Sequence, residues 1–333
     1  MSSPIEHKVY IDAIPEGRWF KSLSDELSEA ELIKINSDEV PDFVDELTSY
    51  DVPDIILEKN GKPVLVLEKT GHVPTGKNPL QRVARMVKAA ENGITGVFFV
   101  PYAAMKHGKY AGKCNANLRL IESLRKIGDY HETEMLIPPW PTDYDYELIQ
   151  DGSENELLAK FLDQFLKNEC NPEVPAAKEI KQKTEQETKR ILQEHSKYSE
   201  PPRSVEIQST EDYLSNLDGK ASEEKIQDLG KTETVVATFD MSPSSCRRVD
   251  PYGGAQFVYD YLYCRDTKEK KIRRNLVLRI PRVEKKTWLE KNPYDEKRKS
   301  SLWYKCADAL ELRDDLLMNF EKYKKSNKVD KIE

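Results

Sequence analysis

Residues Val52–Tyr102, VPDIILEKNGKPVLVLEKTGHVPTGKNPLQRVARMVKAAENGITGVFFVPY, decide how the chain is read. Two apolar runs, Asp54–Glu58 and Pro63–Thr70, flank Asn60-Gly61. Asn-Gly is suited to the positive φ angles of a type I′ turn, so the runs are expected to pair as an antiparallel hairpin. A Gly/Pro-rich loop follows over Gly71–Pro79. Leu80–Glu91 then shows a helical period: Leu80, Val83, Met86, Val87 and Ala90 share one face, Gln81, Arg85 and Lys88 fall opposite, and Arg82 lies on the flank. Asn92-Gly93 can end that helix, and Ile94–Val100 reads as a buried strand closed by Pro101. The expected order is strand, strand, helix, strand. Asp54 stands at the mouth of the hairpin and Glu68 near the end of its second strand.

Pro53-Asp54 followed by Glu68-Lys69-Thr70, in that succession of elements, resembles the core of the PD-(D/E)XK nuclease superfamily, which includes many restriction endonucleases. The resemblance implies an α/β fold with a restriction-endonuclease-like mixed sheet flanked by helices. It also implies Mg²⁺ held by Asp54 and Glu68, with the backbone carbonyl after Glu68 completing the set. The implied reaction is hydrolysis of phosphodiester bonds in double-stranded DNA, by a homodimer where both strands are cut. In the family a lysine two residues after the glutamate helps to activate water; here that residue is Thr70. Lys69 is adjacent, but strands alternate their faces, so it should point away from Glu68. Three readings stay open. A basic residue from elsewhere enters the site, Lys77 and Arg82 being nearest in sequence; the chemistry tolerates Thr70 as the water-orienting group; or the site is inactive.

Carboxylates suit this chemistry because oxygen ligands bind magnesium while leaving waters on it. The competing expectation is that Asp54 caps the strand entry and Glu68 is an exposed strand-end residue. Around the acids, Arg82 and Arg85 at the start of the helix are candidates to meet phosphate, as are Lys106, His107, Lys109 and Lys113 of a basic loop over Ala103–Asn117. Tyr102 and Tyr110 offer rings for stacking. Glu39–Tyr50 reads as a helix before the hairpin; its acids Asp42, Asp45 and Glu46 are either a further acid for the site or a solvated face. His72 is either a proton carrier or a polar loop residue. His7, His107, His131 and His195 lack metal-ligand spacing, which gives no support to zinc hydrolysis.

The rest of the chain sets bounds. With 333 residues, two domains or one elaborated domain are expected. A net charge of -7 argues against a uniformly basic nucleic-acid coat but permits a local basic groove. Five scattered cysteines without CxxC spacing suggest reduced thiols in the cytoplasm. No signal-peptide core and no run long enough to span a bilayer is visible. Ser22–Ile35 fits two short helices, Leu118–Ile127 another, and Asn155–Asn168 an amphipathic one. Residues 171–209 read as a charged, proline-bounded hinge or linker helix, which separates a nuclease-like domain over 1–170 from a C-terminal α+β domain over 210–333 for recognition or assembly.

In that last third, Thr232–Phe239, Phe257–Cys264 and Asn275–Ile280 read as strands, and Leu302–Leu317 as a closing helix. Arg247, Arg248 and Gln256, near Gly253-Gly254, are candidates for base edges, against a plain structural turn. Glu284-Lys285-Lys286 with Asp260 upstream is a weaker nuclease motif, lacking a well-placed helix and strand after it. Asp250-Pro251-Tyr252 is faintly similar to an amino-methyltransferase tetrapeptide but lacks its second proline and a glycine-rich cofactor loop. Two further classes therefore remain beside the nuclease: a non-catalytic nucleic-acid-binding protein on the same scaffold, and an interaction protein without nucleic acid.

Overall fold

Asn60 and Gly61 take φ of 52° and 79°, the paired positive values that an Asn-Gly hairpin turn requires. They join β3 (Ile55–Lys59) to β4 (Lys62–Lys69) in an antiparallel pair, with a bulge between Leu57 and Glu58. The computed structural model containing this hairpin describes residues 6–37, 40–74, 82–109, 111–194, 204–217, 219, 229–238, 242–243, 274–291 and 307–318. The chain divides into two units, Met1–Ser199 and Glu200–Glu333.

The first unit is built on a seven-stranded mixed sheet. Its order is β2 (Glu31–Lys34), β1 (His7–Ile11), β3, β4, β5 (Thr95–Pro101) and β8 (Met135–Leu136), with β9 (Pro139–Trp140) also on β5. Strand β1 runs parallel to β2 and antiparallel to β3, while β4, β5, β8 and β9 run parallel to their neighbours across β5. The pleat sends alternate residues to opposite faces. Val9, Ile11, Ile55, Leu57, Leu65, Leu67, Val97 and Phe99 enter one core together with α5 (Glu156–Lys167) and α6 (Pro175–Glu194). A fully buried Leu or Phe of this kind stabilises the fold by roughly 2 kcal/mol. The opposite face carries Tyr10, Ile56, Val66, Glu68 and Phe98; α3 (Val83–Glu91) lies on β4 and β5, and α4 (Leu118–His131) on α3 and β8. The first unit is thus an α/β domain whose mixed sheet has helices on both faces. Helix α1 (Ile14–Lys21) follows β1, and α2 (Asp42–Leu47) precedes the hairpin.

Several expectations need correction. Ser22–Ile35 holds a single 3₁₀ turn at Asp25–Leu27 and the edge strand β2, not two helices. The loop expected over Ala103–Asn117 contains a hairpin of β6 (Ala103–Lys106) and β7 (Gly112–Asn115). Pro175–Glu194 is a helix, as one of the two readings of that stretch has it, but it is packed and not a hinge: Ala176, Ala177, Ile180, Thr184 and Ile191 are buried, four of them at three- or four-residue spacing. Small and β-branched residues at that period make a packing face that a search for large apolar residues passes over. The boundary expected at 171 therefore falls inside the first unit.

The second unit holds a five-stranded sheet of β10 (Ser204–Ser209), β11 (Glu233–Thr238), β12 (Asn275–Ile280), β13 (Ala309–Leu312) and β14 (Leu316–Met318), in that order. Helices α7 (Thr210–Ser215) and α8 (Lys285–Lys291) accompany it. The closing helix expected over Leu302–Leu317 is replaced, where described, by the β13–β14 hairpin. Ala309, Leu310, Leu312 and Leu316 are apolar enough for either state, and pairing with β12 decides. Phe257–Cys264 lies outside the described residues. Among the described residues no helix is long and apolar enough to cross a membrane.

Candidate metal centre

The two acids singled out in the sequence meet. Asp54 precedes β3 and Glu68 is the penultimate residue of β4; antiparallel pairing brings these ends of the hairpin together. Asp54 Oδ2 accepts the Lys69 backbone N–H at 2.9 Å, which fixes the aspartate across the strand. Glu68 is fully buried beneath the start of α3. Two guanidinium groups span the pair. Arg85 Nη1 contacts Glu68 Oε2 and lies 3.5 Å from Asp54 Oδ1. Arg82 Nη1 contacts Glu68 Oε1, donates to the Lys69 carbonyl at 3.0 Å and lies 3.7 Å from Asp54 Oδ2. One nitrogen therefore touches or nears an oxygen from each of Asp54, Glu68 and the Lys69 carbonyl.

Burial dominates the ionisation of these groups. It pushes the Glu68 carboxyl up to about 7, with Arg85 pulling the other way and Asp54 adding to the rise. Burial also raises Asp54, against the Lys69 N–H bond and the two arginines. The burial of Arg85 is outweighed by Glu68 and Asp51, which hold it charged.

Arg85 does not stand on the solvent side of its helix. It is buried, and Asp51 Oδ2 accepts its Nε at 3.0 Å. Asp51 is itself buried, and its other oxygen accepts the Val52 N–H at 2.9 Å. The helical period of apolar residues could not reveal this, because a buried arginine needs partners from other elements and none is adjacent in sequence.

Thr70 is buried; its N–H donates to the Phe99 carbonyl at 2.9 Å. Its Oγ1 is buried without a hydrogen-bond partner among the described residues. Lys69 points to the other face, as strand alternation requires: its Nζ lies 3.8 Å from the ring centroid of Trp19 and 5.5 Å from that of Trp140. Burial pulls its pKa down, with Glu154, Glu16 and Asp54 opposing. Glu16 on α1 is a residue that the sequence reading missed. Its Oε2 is buried without a partner among the described residues, and its charge raises both Asp54 and Lys69.

The other candidates are dispersed. Asp42, Asp45 and Glu46 are exposed, and Glu46 pairs with Lys88 at 3.5 Å, so the solvated-face expectation describes them. His72 is exposed. Tyr102 is buried and donates its hydroxyl to the Ile137 carbonyl at 3.1 Å. His107 meets Glu147 at 2.8 Å, and Lys113 is held by Glu194 at 2.6 Å; Lys106 ends β6 and Lys109 lies in the β6–β7 turn. Glu284 and Lys285 form surface ion pairs with Arg313 and Asp315. Lys77, Tyr110, Arg247, Arg248, Gln256 and Asp260 lie outside the described residues.

Among the described residues no cluster of three or more His, Cys, Asp or Glu side chains forms a metal site. The oxygens that converge on Arg82 are those of two carboxylates and one carbonyl. Magnesium is commonly bound by one or two carboxylates with waters completing its shell, so hard oxygens converging on one cationic nitrogen fit that ion. The unpartnered Thr70 hydroxyl is suited to a bound water. No family model matches this chain, and neither a curated protein nor a solved structure matches it.

Proposed function

We propose that the first unit is a magnesium-dependent endonuclease of the restriction type, built on a restriction-endonuclease-like scaffold and acting on double-stranded DNA. The observation that carries this reading is the convergence of Asp54, Glu68 and the Lys69 carbonyl around the Arg82 guanidinium. A position that draws one positive group to three oxygens is suited to another. Asp54, Glu68 and the Lys69 carbonyl would hold Mg²⁺, which when bound supplies an activated water and offsets the charge that builds on the phosphate. Thr70 would hold a water by its hydroxyl. Arg82, displaced from the acids, would be available for a phosphate oxygen, which makes it the relocated basic group in place of the missing lysine. Arg85, fixed by Asp51, would keep the acids in register. Lys106, His107, Lys109 and Lys113 would contact the DNA backbone from the β6–β7 hairpin.

A second reading has its own support. Arg82 and Arg85 already neutralise both acids, and Thr70 brings no charge, which favours a nucleic-acid-binding protein that does not cut. Incubation with mixed-sequence plasmid or phage DNA and Mg²⁺ separates the two. Discrete fragments that vanish in Asp54→Ala are expected. Salt-sensitive DNA retention without cleavage in Mg²⁺ or Mn²⁺ would replace the first reading by the second. No retention even at low salt would end both.

A further inference from the structure

A cavity of about 450 Å³ opens in the first unit between the ends of β5 and β9 and helices α5 and α6. Its walls include Trp140, Tyr146, Glu154, Glu156, Gln186 and Lys183. It lies at the same end of the sheet as the acids: β4 runs parallel to β5 with Lys69 opposite Phe99, and β5 parallel to β9 with Pro101 opposite Trp140. Ligands of parallel sheets bind outside these carboxyl ends. Trp140 links the two places. It stacks on Phe99 at 4.6 Å, and Gly71, one residue past Thr70, packs so closely that a Cβ there would lie 2.9 Å from the Trp140 ring.

Tyr146 is held in a backbone conformation that tyrosine rarely adopts, with φ of 63°. Its carbonyl accepts the Met105 N–H at 2.7 Å, and its ring is set by Lys113 Nζ, 3.8 Å from the centroid. Glycine would fit that backbone without strain, so the ring is the part of the residue that repays the position. The cavity's charges then narrow the ligand. Arg190, also in the wall, is committed to Glu187 at 2.6 Å and Glu194 at 3.0 Å. Glu156 and Gln186 have no hydrogen-bond partner among the described residues, and Glu154 accepts only from Gly152 and Asn155. Lys183 reaches Glu179 at 3.9 Å, and Glu154, Glu156 and Glu187 outnumber the two cations of the wall, so the excess is acceptor capacity beside aromatic walls. A phosphate is poorly suited to it; a flat heterocycle with N–H donors is well suited.

We infer that this cavity receives one unstacked nucleobase bearing an exocyclic amino group, with Trp140 and Tyr146 forming its aromatic walls and Glu156 and Gln186 meeting its polar edge. This deepens the reading of the unit as a DNA enzyme and rests on it for the source of the base. The test is calorimetric titration of the full chain, without metal, by free cytidine and thymidine and by single-stranded oligo-dC and oligo-dT. Cytosine is expected to bind roughly tenfold more tightly than thymine, which lacks the amino donor. Tyr146→Gly, which keeps the backbone, should weaken cytosine binding roughly tenfold with the melting temperature unchanged. Glu156→Gln should abolish the preference. Preference among oligonucleotides alone places the base in a strand; preference among free nucleosides too shows that the base suffices. Equal binding of cytosine and thymine, no binding in either arm, or no effect of Tyr146→Gly overturns the inference. Base binding without DNA cleavage would sink the nuclease reading and leave the cavity assignment standing; cleavage without base preference would do the reverse.

Discussion

Each unit buries a strand glutamate against arginine, and the two are not alike. Glu311 on β13 accepts the Tyr213 hydroxyl at 3.0 Å and Arg279 Nε at 2.8 Å. One charge meets one principal countercharge, and a neutral donor helps to satisfy the carboxylate. Glu68 on β4 shares two arginines with Asp54, and Asp51 is needed to hold one of them. Three carboxylates and a backbone carbonyl are gathered at one sheet end. Burial of a glutamate therefore says little about function, because a single well-bonded ion pair accounts for it structurally. Convergence of acids is costly for a fold and calls for a cation, whether a guanidinium or a metal ion.

The largest expected contrast is in activity. Asp54→Ala should lower Mg²⁺-dependent DNA cleavage by roughly 10³-fold, about 4 kcal/mol in transition-state stabilisation, whereas Glu311→Gln should leave the rate unaltered. A loss of cleavage of the same size in Glu311→Gln would erase the distinction drawn above. Stability should show the reverse ranking. Glu311→Ala removes the acceptor of the buried Tyr213 hydroxyl and leaves Arg279 with only Glu206, at 3.6 Å, and should cost ~3 kcal/mol in urea denaturation; a cost near zero would mean the pair is solvated.

The pH dependence sharpens the comparison further. The Glu68 carboxyl lies at about 7 in the fold against an ordinary 4.5, so folding takes up a proton between those values. The stability this contributes is complete below about 4.5 and is lost as pH rises through about 7. Asp54 is shifted in the same direction. Without metal, the protein should therefore lose stability relative to Glu68→Gln between pH 5 and pH 8, by at most ~1.4 kcal/mol per pH unit. Melting curves of both proteins across that range check it, and an opposite slope would mean that the arginines outweigh burial. The smallest effect belongs to the turn. Gly61→Ala, at φ of 79°, should cost ~1 kcal/mol in thermal denaturation without touching the acids.

Local signals were legible where a residue type answers to backbone geometry. Asn60-Gly61 predicts its own turn, the spacing Val83, Met86, Val87 and Ala90 predicts α3, and the run ending at Pro101 predicts β5. Signals failed where partners decide. Glu31–Lys34 becomes a strand because β1 offers it an edge, and Ala309–Leu312 because β12 does. Helix α6 joined the core through Ala176, Ala177 and Ile180, two alanines and a single isoleucine that form no evident apolar run in a charged segment.

By itself, the sequence determined the hairpin, the amphipathic helix after it and the placing of Asp54 and Glu68 at its open end, because turn chemistry and side-chain period act over a few residues. Only the tertiary structure decided that Arg85 turns inward to Asp51 and Glu68, that Arg82 touches the Lys69 carbonyl, and that Trp140 and Tyr146 wall a cavity at the same sheet end. Those arrangements depend on pairing between residues far apart in the chain, and electrostatics and packing at that range leave no mark on any local pattern.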